Sequence, residues 1–248
     1  MASSVDLPEP EAPTTATASP CVTARSISRK ITRSLAPLFT VLPMPRAVST
    51  LLLCFIVLWL PGTAAAEKSI LVLGDSLSAA YGIPRERGWV NLLAQRLKRE
   101  HPDYIVVNAS ISGDTTGGGR HRLRPLLDKH QPSVLVLELG ANDGLRGMSV
   151  SQIRSNLAAI IQETQAFGAR VLLVGMKMPP NYGEVYTQSF EALFYELARN
   201  YRVALVPFLL EDFAEQPNLF QPDRIHPTEA AQPLMLERVW KELKPLLR

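Results

Sequence analysis

From residue 67 onward the chain predicts a flavodoxin-like α/β fold, a three-layer α/β/α sandwich around a five-stranded parallel sheet. Two observations carry this reading. Short, continuous apolar runs recur, as in Ile70-Leu71-Val72-Leu73 and Val134-Leu135-Val136-Leu137, and unbroken apolar runs belong to strands covered on both faces. Longer amphipathic segments lie between them, and regular alternation with right-handed crossovers yields a parallel, doubly wound sheet.

The strands are expected at 69–74, 104–108, 133–139, 170–175 and 202–206, in spatial order 2-1-3-4-5. Helical patterns occupy 87–100, 116–129, 151–167, 185–200 and 228–246. The third is the best marked, because Ser149-Val150-Ser151-Gln152 has capping-box spacing and Gly168 stops it. No linker or repeat interrupts this region, so 67–248 is expected to form one domain.

The preceding residues read differently. Residues 1–43 are rich in Pro, Ser, Thr and Ala without a sustained apolar period, a composition that buries too little surface to fold. Residues 44–66 have the layout of a secretory signal: Arg46, the apolar core Leu51–Leu60, then Pro61-Gly62-Thr63-Ala64-Ala65-Ala66. Translation is expected to start at Met44, cleavage to follow Ala66, and the product to be periplasmic or secreted. The apolar core is shorter than the roughly 20 residues a membrane span requires, so no stable membrane anchor is expected.

Both cysteines, Cys21 and Cys54, precede the expected cut. The remaining chain then has no thiol, disulfide or cysteine metal site. The formal charge of +3 also belongs mainly to the leader. A near-neutral mature segment gives no field for nucleic acid, and the basic clusters at 96–99 and 120–124 read as solvated helix faces.

Ligands of open α/β sheets bind at the carboxyl ends of the strands, and here those ends are polar. The first strand is followed by Gly74-Asp75-Ser76-Leu77-Ser78, the second by Ser110-Ile111-Ser112-Gly113-Asp114-Thr115, and the third by Gly140-Ala141-Asn142-Asp143-Gly144. Ser76 is the candidate nucleophile. A serine needs a general base that is itself oriented by a third group, and Asp223-Arg224-Ile225-His226-Pro227 supplies both. The other histidines, His101, His121 and His130, sit at helix ends or on polar faces and read as surface residues.

Attack on a carbonyl places negative charge on its oxygen, which neutral, pre-aimed donors stabilise. The backbone N–H groups of Ser76 and Gly113 and the side-chain amide of Asn142 are candidates for that oxyanion hole. The set fits acyl transfer and needs no metal or cofactor. The glycine-rich stretch at 113–119 lacks the Gly-Lys-Ser/Thr ending of a phosphate-binding loop. Ser78 occupies the place of the second glycine in an α/β-hydrolase elbow, so a different serine-hydrolase scaffold is required.

With these blocks assembled, the chain resembles the GDSL, or SGNH, hydrolase family, in which separated segments contribute Ser, Gly, Asn and His. Ser76, Gly113, Asn142 and the Asp223/His226 pair match those blocks, and the resemblance covers essentially all of the mature region. It is nearest the small bacterial thioesterases, lysophospholipases and arylesterases. The resemblance implies the SGNH hydrolase fold and a monomeric, metal-independent hydrolase of acyl esters and thioesters. Ala141 and Arg224 depart from that branch, which has glycine at both positions; neither change removes a catalytic group.

Leu145, Met148, Met178, Pro179 and Tyr182 follow the third and fourth strands and are expected to bind the acyl chain of a small-molecule substrate. The segment 144–148, with two glycines, reads as a mobile lid. Two other readings stand beside this one: a carbohydrate acetylesterase using the same triad, and a non-catalytic binding module or receiver-like switch. A receiver needs neither a secretion signal nor Asp223 and His226.

Overall fold

The apolar runs pair as strands in the computed structural model, which describes residues 67–247. The expectations for 1–43, for the signal at 44–66 and its cleavage, and for Cys21 and Cys54 lie outside the described residues. The strands are β1 (Lys68–Gly74), β2 (Tyr104–Asn108), β3 (Val134–Glu138), β4 (Arg170–Val174) and β5 (Ala204–Val206). All pairings are parallel, in the order β2-β1-β3-β4-β5. In β1 and β3, Ile70 to Leu73 and Val134 to Leu137 have no exposed surface, as a doubly covered sheet requires.

Helices α1 (Trp89–Glu100) and α6 (Gln232–Leu243) pack against each other, while α2 (Thr116–His130), α4 (Val150–Ala166) and α5 (Glu184–Tyr201) pack in series as a second helical layer. Helix α4 shows why the pattern works. Ile153, Leu157, Ile160 and Ile161 share one face and are fully buried, each contributing roughly 1.5–3 kcal/mol of hydrophobic stabilisation. Ser149 caps the helix by accepting from the Gln152 N–H, and Gly168 (φ 95°) turns the chain out beyond its end.

Two segments differ from the sequence expectation. The last helix does not run unbroken over 228–246: a 3-10 turn at Glu229–Ala231 precedes α6, and another at Lys244–Leu246 follows it. Proline explains both ends, since it lacks the N–H an inner helical turn needs. Pro233 falls in the first turn of α6, and Pro245 falls beyond its end. The second segment is Asn142-Asp143-Gly144, which reads as an ordinary turn but forms a short helix, α3 (Ala141–Leu145). Gly140 (φ 122°) makes the sharp entry, and the aromatic ladder Tyr186–Phe190–Phe194 on α5 supports it, with ring spacings of 6.3 and 5.4 Å.

At the end of β4, Gly175 donates to the Val206 carbonyl, and a side chain there would place its Cβ 2.2 Å from the Pro207 carbonyl oxygen. Backbone cannot yield as a flexible side chain does. Gly175→Ala is expected to cost roughly 1–3 kcal/mol of stability, read from a lowered urea midpoint with an unchanged slope.

Candidate active site

The polar cluster after β1 is shaped by a close approach. A Cβ on Gly74 would lie 2.7 Å from Glu138 Oε2 and 2.8 Å from Ser78 Oγ, so only glycine lets the two strand ends sit this near. The chain then turns tightly. Asp75 Oδ1 accepts from the Leu77 N–H (3.0 Å), the Asp75 carbonyl from Ala79 N–H (2.9 Å), and the Ser76 carbonyl from Tyr81 N–H (3.1 Å). Ser76 is left half-buried at the rim.

The loop before α6 brings the base to it. His226 Nε2 lies 3.0 Å from Ser76 Oγ, and His226 Nδ1 lies 2.7 Å from Asp223 Oδ2. Asp223 Oδ1 accepts from the backbone N–H groups of Ile225 (2.9 Å) and His226 (3.0 Å), so one carboxylate organises both the loop and the ring. Burial pushes the Asp223 carboxyl up, but those two N–H groups and the imidazole outweigh it and bring it down to about 2. With Nδ1–H donating to Asp223, Nε2 is the ring atom free to take the serine proton.

Gln221 joins the two loops. Its Nε2 donates to the Tyr81 carbonyl (2.8 Å) and the Pro227 carbonyl (3.1 Å), and the Tyr81 ring lies 4.4 Å from the His226 ring. The imidazole is thus confined by Asp223 at one edge and by an aromatic ring against its face.

The oxyanion donors come from the other side. Gly113 adopts φ 80°, where a side chain is disfavoured, and Arg146 Nη2 donates to its carbonyl (3.1 Å). Among the described residues, the backbone N–H groups of Ser76 and Gly113 donate to no protein acceptor. Asn142 Nδ2 already donates twice, to Asp75 Oδ2 (3.0 Å) and to the Asp114 carbonyl (2.9 Å). Asn142 therefore reaches an oxyanion only by giving up one of these contacts.

Several supporting groups are not evident from sequence. Buried Asp143 accepts from the Thr116 N–H (2.9 Å) and hydroxyl, which docks the start of α2 onto α3 and sets Gly113 against Asn142. Arg122 pairs with Asp114 (2.7 Å) and holds the same loop from below. Glu138, at the end of β3, is fully buried and accepts from Ser78 Oγ (2.7 Å) and the Asp75 N–H (3.2 Å). Asn142-Asp143-Gly144 is an ordinary turn sequence, and nothing local marks Asp143, Glu138 or Gln221 for these roles.

A cavity of about 590 Å³ opens beside Ser76, lined by Leu77, Asn142, Leu145, Met176, Met178, Pro179, Phe208, Leu210, Phe220 and Ile225. Three of the expected acyl-binding residues, Leu145, Met178 and Pro179, line it. Met148 and Tyr182 do not. Tyr182 turns its hydroxyl to the Leu145 carbonyl (3.0 Å), and the Met148 carbonyl accepts from Tyr186 Oη (2.7 Å). These bonds brace the 144–148 segment from behind, and Gly144 is packed under Met178 and Phe190 rather than standing free as a hinge. Sequence reading missed the wall from Phe208 to Phe220, because its residues follow β5 and resemble ordinary core. Two cations flank the cavity: Lys177 pairs with Glu191 and Glu211 (both 3.4 Å), while Arg224 holds a left-handed φ of 59° and forms no ion pair among the described residues.

Comparison with known proteins agrees with this geometry. The model of the GDSL-like Lipase/Acylhydrolase family matches residues 72–233, a span that contains Ser76, Gly113, Asn142, Asp223 and His226. The chain is 51% identical over 183 residues to Esterase TesA of Pseudomonas aeruginosa, covering 74% of this chain and 91% of that protein. It is 42% identical over 184 residues to the Thioesterase 1/protease 1/lysophospholipase L1 of Escherichia coli, covering 74% and 87%. The crystal structure of the psychrotrophic esterase EstA from Pseudoalteromonas sp., inhibited by monoethylphosphonate, matches with a TM-score of 0.70 at 41% identity, covering 73% of this chain and 98% of that one. A parallel sheet with Ser, Gly, Asn and His converging on one rim, matched by relatives over nearly their full lengths, places the chain in the GDSL-like lipase/acylhydrolase family as an ester hydrolase.

Proposed function

We propose that this ester hydrolase is exported and cleaves acyl esters and thioesters through an acyl-enzyme on Ser76, acting as a monomer on small-molecule substrates. The observation that carries the reading is the continuous chain Ser76–His226–Asp223 opening onto the apolar cavity. Export is supported by the signal-like layout of residues 44–66.

His226 Nε2 takes the Ser76 proton as Oγ attacks the carbonyl carbon. The negative oxygen is met by the free N–H groups of Ser76 and Gly113 and by Asn142, whose amide exchanges its bond to the Asp114 carbonyl for one to the oxyanion. Asp223 stays ionised and stabilises the imidazolium. The leaving alcohol or thiol departs with the proton from His226, and water then attacks the acyl-enzyme with His226 as base. Acyl carbons lie along Leu145, Met178, Phe208 and Leu210, in a cavity of the size typical for small-molecule sites. An acetyl group would leave most of that volume unfilled, which favours longer acyl chains over a deacetylase role.

Ser76→Ala is expected to abolish hydrolysis of p-nitrophenyl esters and labelling by a fluorophosphonate while leaving the circular dichroism spectrum unchanged; retained turnover sinks the assignment. Asn142→Ala is expected to lower kcat by roughly 10²–10³ with little change in KM, measured on the same esters. Across a p-nitrophenyl series from acetyl to palmitoyl, kcat/KM is expected to rise beyond acetyl before falling, and an acyl-CoA is expected to be turned over as well. A maximum at acetyl would contradict the acyl-cavity reading.

A further inference from the structure

Beneath the nucleophile turn lie two carboxyl groups that the proposed mechanism does not use. Asp75 is 1% exposed and Glu138 has no exposed surface, and the strand register sets Gly74 directly beside Glu138. The Asp75 N–H donates to Glu138 Oε2 (3.2 Å), and charging both of two adjoining carboxyl groups in a site sealed from water is strongly disfavoured. Their hydrogen bonds show where a proton is held. Both Asp75 oxygens act as acceptors, Oδ1 from the Leu77 N–H (3.0 Å) and Oδ2 from Asn142 Nδ2 (3.0 Å). Glu138 Oε2 accepts from Ser78 Oγ (2.7 Å) and from the Asp75 N–H (3.2 Å). Glu138 Oε1 accepts from nothing and is buried. It is the one oxygen of the four that accepts no hydrogen bond, so a proton there meets no competing donor.

We propose that Glu138 is a positioning residue held as the neutral acid, donating from Oε1 to the Asp75 carboxylate, and that this internal bond keeps Asp75 charged and Asn142 in place beside Ser76. The electrostatics agree with the geometry. Burial and the neighbouring Asp75 side chain push Glu138 well above the usual carboxyl range, against the Ser78 hydroxyl and the Asp75 N–H, which lower it. Asp75 is raised to about 6 by burial, against the Leu77 N–H and His226, which lower it; the Asp114 and Asp143 charges add to the rise. Above that value Asp75 is the ionised member of the pair and Glu138 keeps the proton. An ionised Glu138 would drive the proton onto Asp75, remove an acceptor from Asn142 and loosen an oxyanion donor.

The kinetic side of this inference rests on the Ser76 acyl-enzyme reading; the protonation state does not. Infrared difference spectra at neutral pH between wild type and Glu138→Gln should show a protonated-carboxyl C=O band present only in the wild type, whether or not Ser76 turns over. Glutamine preserves the shape, with its oxygen accepting from Ser78 and Asp75 and its amide donating to the Asp75 carboxylate. Glu138→Ala is therefore expected to lose roughly 10- to 100-fold in kcat with KM nearly unchanged, and Glu138→Gln to restore kcat to within about threefold of wild type. Stability supplies a third arm that stands even where the alanine variant does not fold. A carboxyl raised in the folded state loses stability as pH climbs from its ordinary value towards its folded one, so the wild-type urea midpoint should fall relative to that of Glu138→Gln as pH rises above the ordinary carboxyl range. Absence of the band, a glutamine variant as impaired as the alanine one, an alanine variant with full kcat, or a pH-independent midpoint difference would each overturn the proposal.

Discussion

Parallel pairing is the constraint on which the site depends. Because every strand runs the same way, β1 and β3 deliver their carboxyl ends side by side, with Gly74 registered on Glu138. The nucleophile turn and the Asn142 helix then start from neighbouring points on one edge. The loop after β2 reaches the same edge through the Ile111 N–H, which donates to the Gly74 carbonyl (3.0 Å). A ladder of backbone hydrogen bonds brings Ser76, Gly113 and Asn142 to the same edge independently of their side chains. Only His226 and Asp223 must be brought in from a distance, and their loop is secured by the Gln221 stitch and by the Phe220–Pro227 bridge.

Charge is distributed with matching economy. The groups that face the substrate oxygen are neutral amides, whereas the carboxylates sit behind them. Asp223 is exposed enough to remain ionised without a cationic partner, its charge held by two backbone N–H groups and the imidazole. Asp143 uses its buried charge on Thr116, and Asp75 uses its own on Asn142 and Leu77. Each buried carboxylate thereby fixes the position of a neighbouring loop, in keeping with the rule that buried polar groups persist when their hydrogen bonds are satisfied.

Much of this was legible in the sequence because it is local. Ser76, Gly113 and Asn142 each follow an apolar run, and Asp223 and His226 lie three residues apart, so strand periodicity and short-range spacing were enough to bring them to one rim. The sheet order followed from the same alternation. What escaped was whatever depends on contacts between distant segments. Glu138 falls inside the expected third strand as its one charged residue, and nothing local shows that the neighbouring strand and Ser78 cover it completely. Gln221 has no motif, and its role exists only because Tyr81 lies across from it. Met148 and Tyr182 show the opposite error: near the site in sequence and apolar in character, they support the cavity wall from outside because their chain segment faces α5.

The Gln221 stitch also gives the cavity two unlike sides. By tying the Tyr81 carbonyl to the Pro227 carbonyl, it turns the nucleophile turn and the histidine loop into a single mechanical body. The opposite wall, from Met178 to Pro180 and from Phe208 to Ala214, is lined mainly by apolar side chains. The reacting atoms thus sit together on the tied side of the chamber, and its apolar side carries none of them.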